Sequence, residues 1–110
     1  MSLYGEYLKE RLGDFIVEME HGFGSYRFPN FETVYIVDIY VQPEFRKHGI
    51  ARDIADMITE CALAKGCTKM IGSVVPSTKG STESVKTLLA YGMTLDSCGV
   101  DFILFKKEIR

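Results

Sequence analysis

Nine consecutive residues, Thr33–Val41 (TVYIVDIYV), are all β-branched or aromatic except for one carboxylate, and this run constrains the fold more than any other feature. Such side chains favour extended backbone. At nine residues the run is far short of the ~20 that a membrane-spanning helix needs. With almost no polar alternation it reads as a central strand buried on both faces. Regular alternation would put Asp38 and Tyr40 on one face and Val37, Ile39 and Val41 on the other. Pro43 stops the strand because proline has no N–H for a ladder.

The flanking sequence supplies the layers such a strand requires. Leu3, Tyr7, Leu8, Arg11 and Leu12 recur at helical spacing, and Gly13 offers a stop. DFIVEME and FGSYRF read as a hairpin with His21-Gly22 as its turn. The segment IARDIADMITECALAKG carries Ile50, Ala51, Ile54, Ala55, Ile58, Cys61 and Ala62 on one stripe, so it predicts an amphipathic helix closed by Gly66. CTKMIGSVVP follows as a strand ended by Pro76. Ser81 or Thr82 can cap a helix running to Gly92. MTLDSC and VDFILFKKEI are two last strands with Gly99 in their turn. The expected fold is α/β: a mixed, mainly antiparallel sheet flanked by helices, in one domain spanning residues 1–110.

Composition narrows the function classes. A chain of 110 residues hides roughly two-thirds of its extended surface on folding, enough for one core and too little for separate cofactor and substrate domains. The 13 Lys and Arg against 15 Asp and Glu leave a net charge of −2, without the broad basic field of non-specific nucleic-acid binding. No nucleic-acid or membrane partner is expected. Charges stand where a secretory segment would have its apolar run, so the expected compartment is the cytoplasm. Cys61, Cys67 and Cys98 are an odd set without C-x-x-C spacing. They read as buried or half-buried thiols, and no metal site is expected.

The chemistry concentrates between Ile39 and Arg52, IYVQPEFRKHGIAR. A strand ends, a basic loop with one glycine follows, and a helix begins at once. The first N–H groups of a helix are unpaired and carry the positive end of its dipole, so this junction suits an anion, a phosphate or pyrophosphate. Gly49 would let an oxyanion approach the backbone, and Arg46, Lys47 and His48 surround it with donors. The loop matches neither the P-loop nor the dinucleotide fingerprint. Taken alone, it is equally a solvated basic loop that caps a helix.

The motif Arg46-Lys47-His48-Gly49-Ile50-Ala51 resembles the acetyl-CoA signature of the GNAT-type N-acetyltransferases, [Q/R]-x-x-G-x-[G/A] at a helix start after an apolar strand. Tyr40–Phe45 looks like the usual lead-in, and a final helix closing on Tyr91-Gly92-Met93 follows the family order. The resemblance implies that backbone N–H groups from His48 through Gly49, Ile50 and Ala51 to Arg52 hold the CoA pyrophosphate. It also implies that the backbone of Ile39, Tyr40 and Val41 pairs with the pantetheine arm. For that, the strand must splay from KMIGSVV and leave backbone groups for the arm to satisfy.

Direct acetyl transfer to an amine needs a base, an oxyanion donor and an acid for the thiolate. Asp38 is the candidate base or substrate contact; the alternative is structural pairing with a nearby cation or backbone donor. Leu88 stands where the family often has its acidic tyrosine, while Ser81 and Ser84 take its asparagine and alanine positions. Tyr91 is thus a displaced candidate acid with packing as its alternative role, and Ser81 is either a pantetheine contact or an N-cap.

The resemblance implies an enzyme that moves acetyl from acetyl-CoA, its co-substrate, to a primary amine of a small molecule, peptide or protein. The rival is a non-catalytic CoA-binding or regulatory module of the same fold, which Leu88 would suit. A phosphate-loop binder of another nucleotide is a third reading. A homodimer is suggested by the aromatic segments FGSYRFPNF and DFILF and by the edge of a small sheet. With 32 residues ahead of Thr33, the N-terminal region is expected to be shortened relative to the family.

Overall fold

The computed structural model describes residues 2–110. The elements are α1 (Leu3–Leu12), β1 (Phe15–Met19), β2 (Gly22–Arg27), β3 (Thr33–Val41), a 3₁₀ turn (Pro43–Phe45), α2 (Ile50–Ala64), β4 (Lys69–Val74), α3 (Ser81–Ala90), β5 (Thr94–Gly99) and β6 (Phe102–Glu108). All six strands join one sheet in the order β1-β2-β3-β4-β6-β5. Every pairing is antiparallel except β3 with β4, which are joined through α2. The expected mixed, mainly antiparallel α/β fold is the one observed.

α2 lies across the sheet because its stripe and the strands leave room for each other. Ile54, Ile58 and Ala62 are fully buried and Ala55 nearly so, over Val17, Val34, Ile36, Met70 and Phe105. The approach is closest at β2. A Cβ on Gly24 would stand 2.5 Å from Ile54 Cγ2 and 3.1 Å from Ile58 Cδ1. Gly22 also serves close approach rather than a turn, since its Cβ would fall 2.5 Å from the Tyr40 carbonyl oxygen. The hairpin turn is therefore Glu20–His21, one residue earlier than expected, with Met19 paired to Gly22.

The last hairpin corrects the sequence reading in the same way. Gly99 is the final residue of β5, paired with Phe102, and the turn is Val100–Asp101. Asp101 takes the left-handed conformation at φ 56°, and its carboxylate accepts hydrogen bonds from the Ser77 backbone and hydroxyl. Asp can adopt that backbone at modest cost. Cys98 on this outer strand is exposed, unlike half-buried Cys61 and buried Cys67.

α1 begins with Ser2 accepting from the Gly5 N–H at 3.0 Å and ends at Gly13, φ 70°. It approaches the opposite face, where Tyr4 meets Phe23 edge-on. The next residue, Asp14, is buried and accepts from Arg27 Nε at 2.7 Å and Nη2 at 3.0 Å, tying the helix end to β2. Among the described residues, no helix is long and apolar enough to cross a membrane.

The close packing at Gly24 predicts that Gly24→Ala overpacks the α2 contact and destabilises the fold by about 1–3 kcal/mol. Urea unfolding followed by circular dichroism measures this, and an unchanged midpoint would refute it.

Candidate active site

The site begins where β3 loses a partner. β3 pairs with β4 from Thr33↔Lys69 to Ile36↔Gly72 and no further, while β4 continues beside β6. At the same point the β2–β3 ladder slips, with Ser25↔Asp38 followed by Tyr26↔Ile36, so that Val37 is left without a partner on either side. An extra residue of this kind bends its strand and takes its peptide out of the ladder. β3 and β4 thus form a fork whose inner backbone edge, from Val37 to Val41, is unpaired toward β4. The expected splay is present.

The slip corrects the face assignment. Ile36, not Val37, shares the α2 side with Ile39, and both border the same small cavity against Ala51 and Ala55. Asp38 and Tyr40 share the other side, as expected. The hydroxyls of Tyr35 and Ser73 hydrogen-bond across the fork next to that side.

A groove of about 810 Å³ runs from the fork to the start of α2. β3, β4, the basic loop, the first turn of α2 and the inner side of α3 form its walls. α2 starts at Gly49, φ 82°, and no side chain caps it. Its first intrahelical bond comes from the Asp53 N–H to the Gly49 carbonyl, 3.0 Å. The N–H groups of Ile50, Ala51 and Arg52 thus lack intrahelical acceptors. A Cβ on Gly49 would meet nothing within 4 Å, so the space beside it is open.

The loop is held in shape by its neighbours. Arg46 Nε donates to the Val41 carbonyl at 2.9 Å, and its guanidinium lies 5.8 Å from the Tyr40 ring centroid. Lys47 takes a left-handed φ of 67°. From the β1–β2 turn, the His21 ring stacks on Phe45 at 3.5 Å between centroids, and the His21 Nδ1 and Gln42 Oε1 atoms lie 2.9 Å apart in a hydrogen bond. This brace was invisible in the sequence because its halves lie more than twenty residues apart.

The predicted residues distribute as follows. Ile39, Tyr40, Val41, Arg46, Lys47, Gly49, Ile50, Ala51, Arg52 and Ser84 all line the groove, and Lys79 joins them from the opposite wall, a cation the motif did not include. His48 is exposed and off the groove wall. Ser81 also lies off it, with its hydroxyl donating to the Pro76 carbonyl at 2.8 Å. Nor does Ser81 cap α3, because Gly80 holds the cap position at φ 85°. Leu88 stands over Gly72 and faces the groove, so the tyrosine position is apolar.

Tyr91 is committed elsewhere. Its hydroxyl donates to Asp56 Oδ1 at 2.7 Å and lies 2.9 Å from Thr59 Oγ1, while Lys107 Nζ sits 4.0 Å from its ring centroid and bonds its carbonyl. These contacts anchor the end of α3 to α2 and β6. Asp38, by contrast, is exposed and lines the groove, and its carboxylate has no hydrogen-bond or ion-pair partner among the described residues. The structural-pairing alternative therefore finds no partner.

The family model described as the Acetyltransferase (GNAT) family matches residues 6–86. The chain belongs to the GNAT family. This GNAT chain is 36% identical over 77 residues to the thialysine N-epsilon-acetyltransferase of Sus scrofa, covering 66% of itself and 45% of that protein. The Mus musculus counterpart is 35% identical over 77 residues, with the same coverage. The chain thus spans about half the length of the curated relatives it matches. Among solved structures, a GNAT family acetyltransferase from Elizabethkingia anophelis with acetyl-CoA bound superposes at a TM-score of 0.71, with 18% identity over 94% of this chain and 82% of that one. The PaiA N-acetyltransferase of Thermoplasma acidophilum, in complex with coenzyme A, gives 0.76 with 12% identity, over 96% and 68%. Both likenesses show the GNAT fold.

Burial pushes the Tyr91 phenol from its ordinary 10 up to about 12, with the hydrogen bond from Thr59 opposing and Asp56 reinforcing. The fold holds the protonated form, so this contribution is complete below pH 10 and is lost as pH rises from 10 through about 12. Tyr91→Phe is expected to cost about 1–2 kcal/mol at neutral pH through its lost hydrogen bonds. It should also flatten the alkaline fall in stability, leaving the part due to Tyr26, which burial raises too. Urea titrations between pH 7 and 11 check both effects, and an identical alkaline slope in the variant would refute the assignment.

Proposed function

We propose that the chain is an acetyl-CoA-dependent N-acetyltransferase acting on a cationic primary amine. The fork carries this reading: an unpaired backbone edge leads directly to the uncapped start of α2. An amide-rich pantetheine arm suits the first and a pyrophosphate the second. Arg46, Lys47, Arg52 and Lys79 line this path and outnumber its carboxylates, Asp38 and Glu83. The solved neighbours named above hold acetyl-CoA or coenzyme A in the same fold.

The residues divide the chemistry in a simple way. Asp38 accepts the first proton that the ammonium must lose, directly or through one water, and the second, released from the nitrogen once the C–N bond has formed, passes to solvent. The freed nitrogen attacks the thioester carbon, the C–N bond forms and the C–S bond breaks. Backbone N–H groups at the Val37 bulge stabilise the oxyanion between those events. The departing thiolate takes its proton from solvent, since Leu88 has none to give. The exposed Tyr40 ring, 5.8 Å from Phe23, gives an approaching cation an aromatic surface beside Asp38. The relatives' names, which place acetyl on the N-epsilon amine of thialysine, agree with an acceptor of this type.

Two further parts of the reading have separate support. The three free cysteines suit a reducing compartment, so we place the protein in the cytoplasm. We also assign a homodimer through β5, an edge strand with all six residues exposed, among them Leu95. FGSYR and FILF, the segments that first suggested a dimer, are the interior strands β2 and β6.

Titration calorimetry with acetyl-CoA is the direct test. Gly49→Glu, which puts a carboxylate at the anion seat, should weaken binding at least 100-fold; unchanged affinity would remove the loop from the site. Asp38→Asn should leave acetyl-CoA affinity intact and lower thiol release with an amine acceptor by about 10²–10⁴. Retained turnover would exclude Asp38 as the base.

A further inference from the structure

Between α2 and α3 the floor of the groove drops into a recess of about 70 Å³. Arg52 and Thr87 border it, and Ile36, Ile39, Ala51, Ala55, Leu88 and Tyr91 supply most of its wall. Four of these, Ile36, Ile39, Ala51 and Leu88, also line the groove, so the recess is a side chamber of the same site. At roughly 30 Å³ per water-sized group it has room for about two. Water gains little there, because apolar walls offer it few of the partners that ordered water needs.

Position gives the recess its meaning. Ile36 and Ile39 bracket Val37, the residue displaced from both ladders. If the thioester oxygen sits at that bulge, as the proposed function has it, the acyl carbon would lie beside these two isoleucines and next to the chamber. Leu88, at the family's tyrosine position, completes an apolar wall where a phenol would put a hydroxyl. The far end is fixed, since the Tyr91 hydroxyl is held by Asp56 and Thr59.

We propose that this recess is an acyl-chain pocket, and that the enzyme takes propionyl- and butyryl-CoA as donors alongside acetyl-CoA. The inference rests on the acetyltransferase reading, because it needs the thioester in the fork. The transfer step is unchanged: C–N forms, C–S breaks, and of the two protons the ammonium loses one passes to the base and one to solvent, while the thiolate gains one from solvent. Only the group on the carbonyl carbon grows. One methylene in an apolar pocket is worth about 10–200-fold in discrimination, so a matched chamber has a measurable effect.

The experiment is calorimetry on the whole chain with CoA, acetyl-, propionyl- and butyryl-CoA, followed by thiol release with an amine acceptor. Propionyl-CoA is expected to bind at least threefold tighter than acetyl-CoA. Ala55→Val narrows the chamber and should abolish that gain, lowering propionyl-CoA affinity more than acetyl-CoA affinity, with circular dichroism checking that the variant folds. Leu88→Ala, at a half-buried position packed against the core, should instead raise the butyryl-to-acetyl ratio at least fivefold. Wild-type propionyl-CoA binding tenfold weaker than acetyl-CoA overturns the proposal. So does a ratio that neither variant moves, or an Ala55→Val loss shared equally by free CoA, which would give the recess to the pantetheine arm. Failure of every CoA species to bind would defeat the acetyltransferase reading itself.

Discussion

A buried strand must find partners for its backbone N–H and C=O groups, and β3 gives up one set halfway along. The parallel ladder with β4 ends at Ile36↔Gly72, and the Val37 bulge turns the strand away just beyond. The rest of the site follows from that divergence. It opens the groove, aims the end of β3 at the loop, and brings the first turn of α2 to the mouth of the fork. It also leaves Asp38 on the open side, with its carboxylate exposed in the groove.

The parts of this arrangement that are local in sequence were legible. β3 is readable because nine adjacent side chains share one preference, and α2 because its apolar residues repeat at helical spacing. The loop is readable because glycine, basic residues and a helix start are contiguous. What escaped depends on partners far along the chain. The bulge arises from register against β2, the Tyr91 contacts join α3 to α2, and the Asp14–Arg27 pair spans thirteen positions. Gly22 and Gly99, whose residue type predicts turns, lie in strands instead, where the absence of a side chain serves close packing. At α3, Gly80 rather than Ser81 took the cap position, since its left-handed backbone ends the preceding loop.

Net charge was a poor guide to the site's electrostatics. The chain as a whole carries −2, yet Arg46, Lys47, Arg52 and Lys79, against two carboxylates, Asp38 and Glu83, line one groove beside the positive end of a helix. Local placement, not the total, sets the potential an incoming anion meets. Arg46 is only partly available to such an anion, because its Nε is spent on the Val41 carbonyl. That bond ties the loop to the last residue of the strand.

The short ladder between β3 and β4 also has a mechanical side. β1, β2 and β3 form one antiparallel set and β4, β6 and β5 another, and four residue pairs are all that stitch the two together within the sheet. α2 crosses this seam, but the seam itself is unfinished beyond Ile36. A ligand that hydrogen-bonds along the inner edge of β3 would act as extra stitching. Its binding energy would then appear partly as resistance of the two halves to being pulled apart, so occupancy and cooperativity of unfolding would rise together.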